Sequence, residues 1–299
     1  MKYVIDVPRN FSFWYTVYSH GWCSLPPFNV DKDRSILSMA VATTPRSILP
    51  IEITCNSRKQ LIVELPNRKA ITAREKEAIE RTVKACFRLD EDYSTFYAEV
   101  KGHKQFHWVR KRGAGRLLRS PTVFEDAVKM MCTTNCSWGL TTSMVTNLCT
   151  KLGTEYNEGK YSFPSPEVIA DCTEKYIRKE IRAGYRSPYI LELARRAARK
   201  EINLDSWRSS DAPSAELFEE VRSVKGLGPY AAGNILKLLG RYDYLAIDSW
   251  CRKQFCEIHK KKTVSDKYIE RYYESFGKWK GLFFWLELTK NWYEKKFPF

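Results

Sequence analysis

The 299-residue sequence predicts an α+β fold, on three observations. Residues 1 to about 105 hold short runs rich in β-branched and aromatic residues, bounded by Pro, Asn and Gly, as strands of an antiparallel sheet are. From about Phe106 onward the apolar residues recur at helical spacing. Between Val221 and Trp250 two amphipathic segments flank a glycine-rich turn. The expected organisation is an N-terminal antiparallel β-sheet domain with one or two helices over residues 1–105. A mostly α-helical domain of about eight helices follows over residues 106–299.

The strand-like runs are IDVPRNFSFWYTVYS (5–19), SILSMAVATTP (35–45), ILPIEITC (48–55), QLIVELP (60–66) and TFYAEVKG (95–102). Phe11 to Ser19 suits a short helix equally well. Thr72-Ala73-Arg74-Glu75 has the form of a capping box, opening a helix to about Phe87 with Ile79, Val83 and Phe87 on one face. The segment GWCSLPPF (21–28) is aromatic and turn-rich and carries no recognisable chemistry. Ser120-Pro121-Thr122 starts a helix through about Thr133, and another is expected from about Thr141 to Leu152. Ser165-Pro166, Ser187-Pro188 and Ala212-Pro213-Ser214 each read as a helix start, since proline is favoured at a first helical position. Helices near 248–258, 264–276 and 278–294 complete the chain.

Composition narrows the functional classes. A formal net charge of +15 favours a polyanionic partner, with nucleic acid, anionic membrane and simple solubility all open on charge alone. No N-terminal stretch has the form of a signal peptide, and no run of about 18 apolar residues could span a bilayer. Nine cysteines, at 23, 55, 86, 132, 136, 149, 172, 251 and 256, suggest reduced thiols and a cytoplasmic or nuclear setting.

The stretch VRSVKGLGPYAAGNILKLLGRYDYLAIDSW (221–250) carries the most specific pattern. Gly226 permits backbone angles closed to other residues, and Pro229 sits where a helix begins. Ala231, Ala232 and Gly233 allow close packing against the preceding helix. A helix start behind glycines offers free N–H groups and a positive dipole end, a suitable seat for a phosphate. Asp248 follows eighteen residues after Tyr230, behind the apolar Leu245-Ala246-Ile247.

Those residues resemble the helix-hairpin-helix, Gly/Pro…Asp (HhH-GPD) core of the endonuclease III superfamily of DNA glycosylases. The family pattern Leu-Pro-Gly-Val-Gly reads here Val224-Lys225-Gly226-Leu227-Gly228, with Asp248 as the matching acid. The resemblance implies that Gly226, Gly228 and Ala231 present N–H groups to a DNA phosphate. It also implies a monovalent cation, K⁺ or Na⁺, at the hairpin carbonyls near Val224 and Leu227. The partner it implies is double-stranded DNA containing a damaged base, bound by a monomer. The loop Cys132-Thr133-Thr134-Asn135-Cys136-Ser137-Trp138 is similar to one in 8-oxoguanine DNA glycosylases whose asparagine fills the gap left by the extruded nucleotide; Asn135 matches it. Leu140 stands where those enzymes carry an arginine that reads the opposite base. In Gly184-Tyr185-Arg186 the resemblance makes Tyr185 the wedge beside the opposite base and Arg186 a contact to it.

Tyr230 occupies the position where strand-cutting relatives place a Schiff-base lysine. A tyrosine forms no imine, so the expectation is a monofunctional glycosylase that leaves an abasic site. Asp248 would stabilise the oxocarbenium-like sugar and orient or deprotonate water, a role compatible with capping a helix. Tyr230, Trp138, Asn234 and Trp279 are the expected base-pocket residues. The run Gly277 to Trp285 is similar to the C-terminal helix start of 3-methyladenine DNA glycosylase II. Such an aromatic pocket favours a cationic base through cation–π attraction. The favoured substrate is therefore an alkylated purine, with oxidised guanine second and a non-catalytic binder of distorted DNA as the alternative of another class. Cys251 and Cys256 are too few for the iron–sulfur cluster of endonuclease III, so no such cofactor is expected. The basic groups at 110–112, 116–119, 195–200 and 260–262 are candidates for a DNA path.

Overall fold

The alternating N-terminal runs pair as their period of two requires. In a computed structural model describing residues 1–44, 47–66 and 68–295, β1 (Lys2–Ile5), β2 (Asn29–Asp31), β3 (Ile36–Thr44), β4 (Ser47–Cys55) and β5 (Leu61–Glu64) form one antiparallel sheet, ordered β1-β5-β4-β3-β2. Pro45, which closes the second expected run, and residues 296–299 of the helical part lie outside the described residues. Leu37, Met39 and Val41 of β3, Leu49, Ile51 and Ile53 of β4, and Leu61 and Val63 of β5 are buried on the inner face. They pack against Ile79, Val83 and Phe87 of α2 (Ala73–Phe87). The capping box that opens α2 is formed: the Glu75 N–H donates to Thr72 Oγ1 at 3.2 Å and the Thr72 N–H donates to Glu75 Oε2 at 2.8 Å.

Residues 11–19 take the helical alternative, as α1 (Phe13–Val17). The run expected as a strand at 95–102 is instead a helix, α3 (Ser94–Lys101). Its buried residues Phe96, Tyr97 and Val100 lie on one helical face, and Asp92 Oδ1 accepts the Ser94 N–H at 2.8 Å at its start. Phe96 packs 5.1 Å from Trp279 and 5.3 Å from Phe283, so partners distant in sequence overrode a β-rich composition.

The helical part continues with α4 (His107–Arg112), α5 (Val123–Thr133), α6 (Trp138–Leu152), α7 (Pro166–Ala170), α8 (Glu174–Lys179) and α9 (Ser187–Ala198). After these come α10 (Ser214–Ser223), α11 (Pro229–Leu239), α12 (Ser249–Ile258), α13 (Asp266–Tyr273), α14 (Lys280–Leu288) and α15 (Trp292–Lys295). A short hairpin, β6 (Glu155–Asn157) with β7 (Lys160–Tyr161), follows α6. Hydrophobic packing crosses the 105/106 boundary in both directions. One core joins the sheet and α2 to α5, α6, α9, α10 and α11, and a second joins residues 93–117 to the segment from Tyr242 to Leu288.

The C-terminal end of α11 is fixed by side chains distant in sequence. The buried Arg88 guanidinium donates to the carbonyls of Lys237 at 3.2 Å and Leu238 at 3.0 Å, and Arg119 donates to Leu238 at 3.3 Å. Glu91 pairs with both arginines, at 2.6 and 3.0 Å. Cations at a helix C-terminus satisfy its free carbonyls and complement its dipole. This anchors the helix that carries the site. Arg116 is also buried, donating to the carbonyls of Arg88, Asn10 and Glu91. Arg116 and Arg119 are therefore framework residues rather than part of a DNA path.

Candidate active site

The hairpin forms as the glycines require. Between α10 and α11 the chain turns at Gly226 with φ of +92°, and a Cβ there would come within 2.8 Å of Tyr189 Cβ. Gly228 caps α11 without any side-chain hydrogen bond, and Pro229 begins the helix. The first-turn amides of α11 thus open at a glycine turn, the arrangement that receives an anion.

Asp248 is the N-cap of α12. Its Oδ1 accepts the Cys251 N–H at 2.7 Å, which fixes the carboxylate at the start of the helix. Asp248 and Tyr230 stand where two cavities meet. One, of about 310 Å³, is lined by Trp138, Tyr230, Asn234, Lys237, Trp250 and Trp285 among others. The other is an open cleft of about 810 Å³ that gathers Asn135, Tyr185, Gly226, Gly228, Ala231 and Arg252. Thr133 and Cys136 belong to both linings. Burial, then the charge of Asp248 and a hydrogen bond to it, push the Tyr230 phenol well above its ordinary value, so it stays a neutral donor.

The structure therefore brings Asp248, Tyr230, Trp138 and Asn234 around one pocket. Asn135, Tyr185, Gly226, Gly228 and Ala231 line the adjoining cleft. Asn135 has φ of +48°, and its Nδ2 lies 3.4 Å from the Tyr185 hydroxyl. Tyr185 and Leu140 are both about half exposed.

Two expected site residues lie elsewhere. Trp279 is absent from both linings; its ring packs on Tyr93, Phe96 and Tyr242 at 6.1, 5.1 and 5.4 Å. The chain reverses at Gly277, with φ of +53°, just ahead of it. Arg186 is buried, donating to the carbonyls of Met131, at 3.1 Å, and Thr134, with its guanidinium 4.5 Å from the Tyr185 ring. It holds the Asn135 loop and the tyrosine in place instead of reaching outward to DNA.

A wall of the pocket and a buried lysine are not among the expected site residues. His20, with Gly21 and Trp22 from the segment without assigned chemistry, forms one wall. The Trp138 ring lies so close over Gly21 that a Cβ there would stand 2.1 Å from it. Trp22 Nε1 donates to Asp126 at 2.7 Å, and His20 Nε2 bonds the Leu118 carbonyl. Burial lowers the His20 pKa to about 3, so the ring is neutral and Nε2 carries the proton. The lysine is Lys237, on the face of α11 that already carries Tyr230 and Asn234. The spacings of seven and three were visible, and only its depth was not.

Among the described residues no cluster of three or more His, Cys, Asp or Glu side chains is placed to hold a metal ion, and no helix is long and apolar enough to cross a membrane.

The fold is shared with solved structures of DNA glycosylases. The structure of 3-methyladenine DNA glycosylase from Archaeoglobus fulgidus superposes with a TM-score of 0.74 at 20% identity, covering 97% of this chain and 98% of that one. The 8-oxoguanine glycosylase/lyase of Clostridium acetobutylicum, bound to double-stranded DNA with cytosine opposite 8-oxoguanine, gives 0.73 at 20% identity, covering 99% and 97%. In sequence, the N-glycosylase/DNA lyase of Saccharomyces cerevisiae is 28% identical over 171 residues, 52% of this chain. The chain spans 45% of that relative's length. No protein-family model matches the chain.

Proposed function

We propose that this chain is a DNA glycosylase of base excision repair, which everts a damaged base from duplex DNA into the aromatic pocket and hydrolyses its N-glycosidic bond. The observation that carries this reading is the Asp248 carboxylate at the junction of an aromatic pocket and a glycine-turn cleft. A phosphate seated on the first turn of α11 puts the attached sugar beside that carboxylate. Asp248 then stabilises the positive charge that develops on the sugar and orients water for attack. Tyr185 and Asn135, exposed at the cleft rim, fill the gap in the duplex; the unstacking they offset costs roughly a few kcal/mol. A K⁺ or Na⁺ ion on the carbonyls of Val224 and Leu227 would tie the turn to the phosphate. The Val224 carbonyl already accepts the Leu227 N–H at 3.0 Å and keeps one lone pair for such an ion.

Because Tyr230 cannot form an imine, the reaction ends at an abasic site with the strand intact. The test is a duplex oligonucleotide carrying one lesion, incubated with protein and then split with or without alkali. Strand breaks that need alkali support the reading. Breaks without alkali, or a covalent complex trapped by borohydride, contradict the hydrolytic mechanism. An alkylated purine needs aromatic faces open to its positive charge. One of those faces, that of Trp285, is covered by the Lys237 ammonium at 4.3 Å.

A further inference from the structure

We propose that Lys237 sets the charge selectivity of the pocket: its ammonium admits an uncharged base bearing acceptor atoms and disfavours a base with a fixed positive charge. This rests on the reading that the pocket receives the everted base.

Lys237 lies two turns beyond Tyr230 on the same helix, 3% exposed, and lines the aromatic pocket. Its Nζ donates to Asn234 Oδ1 at 3.1 Å and sits 4.3 Å from the centre of the Trp285 ring. Among the described residues this is the ammonium's one hydrogen bond, so two of its three donors are left in a cavity where an unmet donor is costly. The Asn234 amide is oriented to serve it, since its Nδ2 donates to the Tyr230 carbonyl at 3.0 Å and turns Oδ1 toward the lysine. Trp285 is held in turn by a hydrogen bond from Nε1 to the Ser19 carbonyl at 2.9 Å.

Two consequences follow. The cation–π site that an alkylated purine would use on Trp285 is already filled. And Lys237 is the only cationic side chain among the described lining residues, His20 being neutral, so a second positive charge meets the repulsion of the ammonium, which the Asp248 carboxylate offsets only in part. The carboxylate of Asp248 stands at the cavity mouth, where it serves the sugar. For like charges about 6 Å apart in partly screened surroundings the repulsion amounts to roughly a hundredfold in rate or affinity. An uncharged oxidised purine, by contrast, offers carbonyl oxygens to the two free donors.

The experiment compares two duplexes that differ only in the lesion, one with 8-oxoguanine and one with cationic 7-methylguanine. Single-turnover base release is divided by the spontaneous rate of the same lesion, because alkylated bases leave easily unaided. The wild-type protein is expected to give the larger enhancement for 8-oxoguanine. Lys237→Met should shift the ratio toward 7-methylguanine by roughly a hundredfold, and Lys237→Arg, which keeps the charge, should shift it far less. A larger wild-type enhancement for 7-methylguanine overturns the proposal whatever the variants do, as does an unchanged ratio in a folded Lys237→Met protein. Release of both bases without discrimination defeats the charge filter but leaves the glycosylase reading standing. Release of neither defeats both.

Discussion

Replacing Asp248 with asparagine separates the two jobs of this carboxylate. Oδ1 caps α12 by accepting the Cys251 N–H at 2.7 Å, and an asparagine side chain supplies an equivalent oxygen. Asn and Asp are comparable N-caps, so Asp248→Asn should leave the melting temperature unchanged within experimental scatter. Asp248→Ala loses the cap, at about 1 kcal/mol, and should melt about 2 °C lower for a chain of this size. The chemistry responds differently. Both substitutions remove the negative charge beside the developing sugar cation and the group that orients water, a loss of roughly 10²–10⁴ in rate, or about 3–5 kcal/mol. The assay is single-turnover base release with protein in excess over a lesion duplex, alongside DNA binding by fluorescence anisotropy and thermal melting. Rate should collapse equally in both variants, binding should persist, and only the alanine protein should lose stability. An Asp248→Asn protein releasing base within threefold of wild type would refute the assignment of the catalytic acid. So would a rate loss accounted for entirely by weaker binding.

Other expectations concern the walls, the rim and the buried lysine. Tyr185→Ala should melt within about 0.5 kcal/mol of wild type, because the ring is 47% exposed, yet lose roughly ten- to a hundredfold in lesion-duplex affinity through lost stacking. Equal affinity in a titration would remove it from the cleft. Gly21→Ala places a methyl where the Trp138 ring now lies, so base release should fall at least about tenfold while far-ultraviolet circular dichroism is retained. Lys237 is held down to about 8 by burial, with Cys251 and Asp248 opposing. Its folded-state value is thus below its unfolded one, and the unfolded chain binds more protons between about pH 8 and 10.5. This group's contribution to stability therefore rises with pH across that window. Lys237→Met should melt higher than wild type at pH 7 and lose this advantage toward pH 10, as paired melts would show.

How far this molecule could be read from its sequence depended on the range over which each feature is decided. The Thr72–Glu75 capping box, the turn at Gly226 and the Asp248 cap are settled within a few residues, so their signals are complete locally. Residues 94–101 were misjudged because aromatic and β-branched side chains suit either a pleated face or a helical one. Packing on Trp279 and Phe283, nearly two hundred residues away, made the choice. The same packing drew Trp279 out of the pocket. Arg186 looked like a DNA contact because a basic residue next to an exposed tyrosine says nothing of which way it turns. Two backbone carbonyls turned it inward. The wall made by His20 to Trp22 could not have been found in this way, since it meets Trp138 only through tertiary packing. Lys237 was legible as a direction on α11 but not as a burial depth.

The central claim is that a nucleotide everted from the duplex places its sugar at Asp248 and its base beside Lys237. A crystal structure of the Asp248→Asn protein with a lesion-containing duplex tests this most directly. The account expects a phosphate at the amides following Gly228, the lesion inside the pocket, and the sugar carbon of the glycosidic bond within about 4 Å of the residue-248 side chain. A duplex bound on another face, or a lesion still stacked between its neighbours with the pocket unentered, would contradict it.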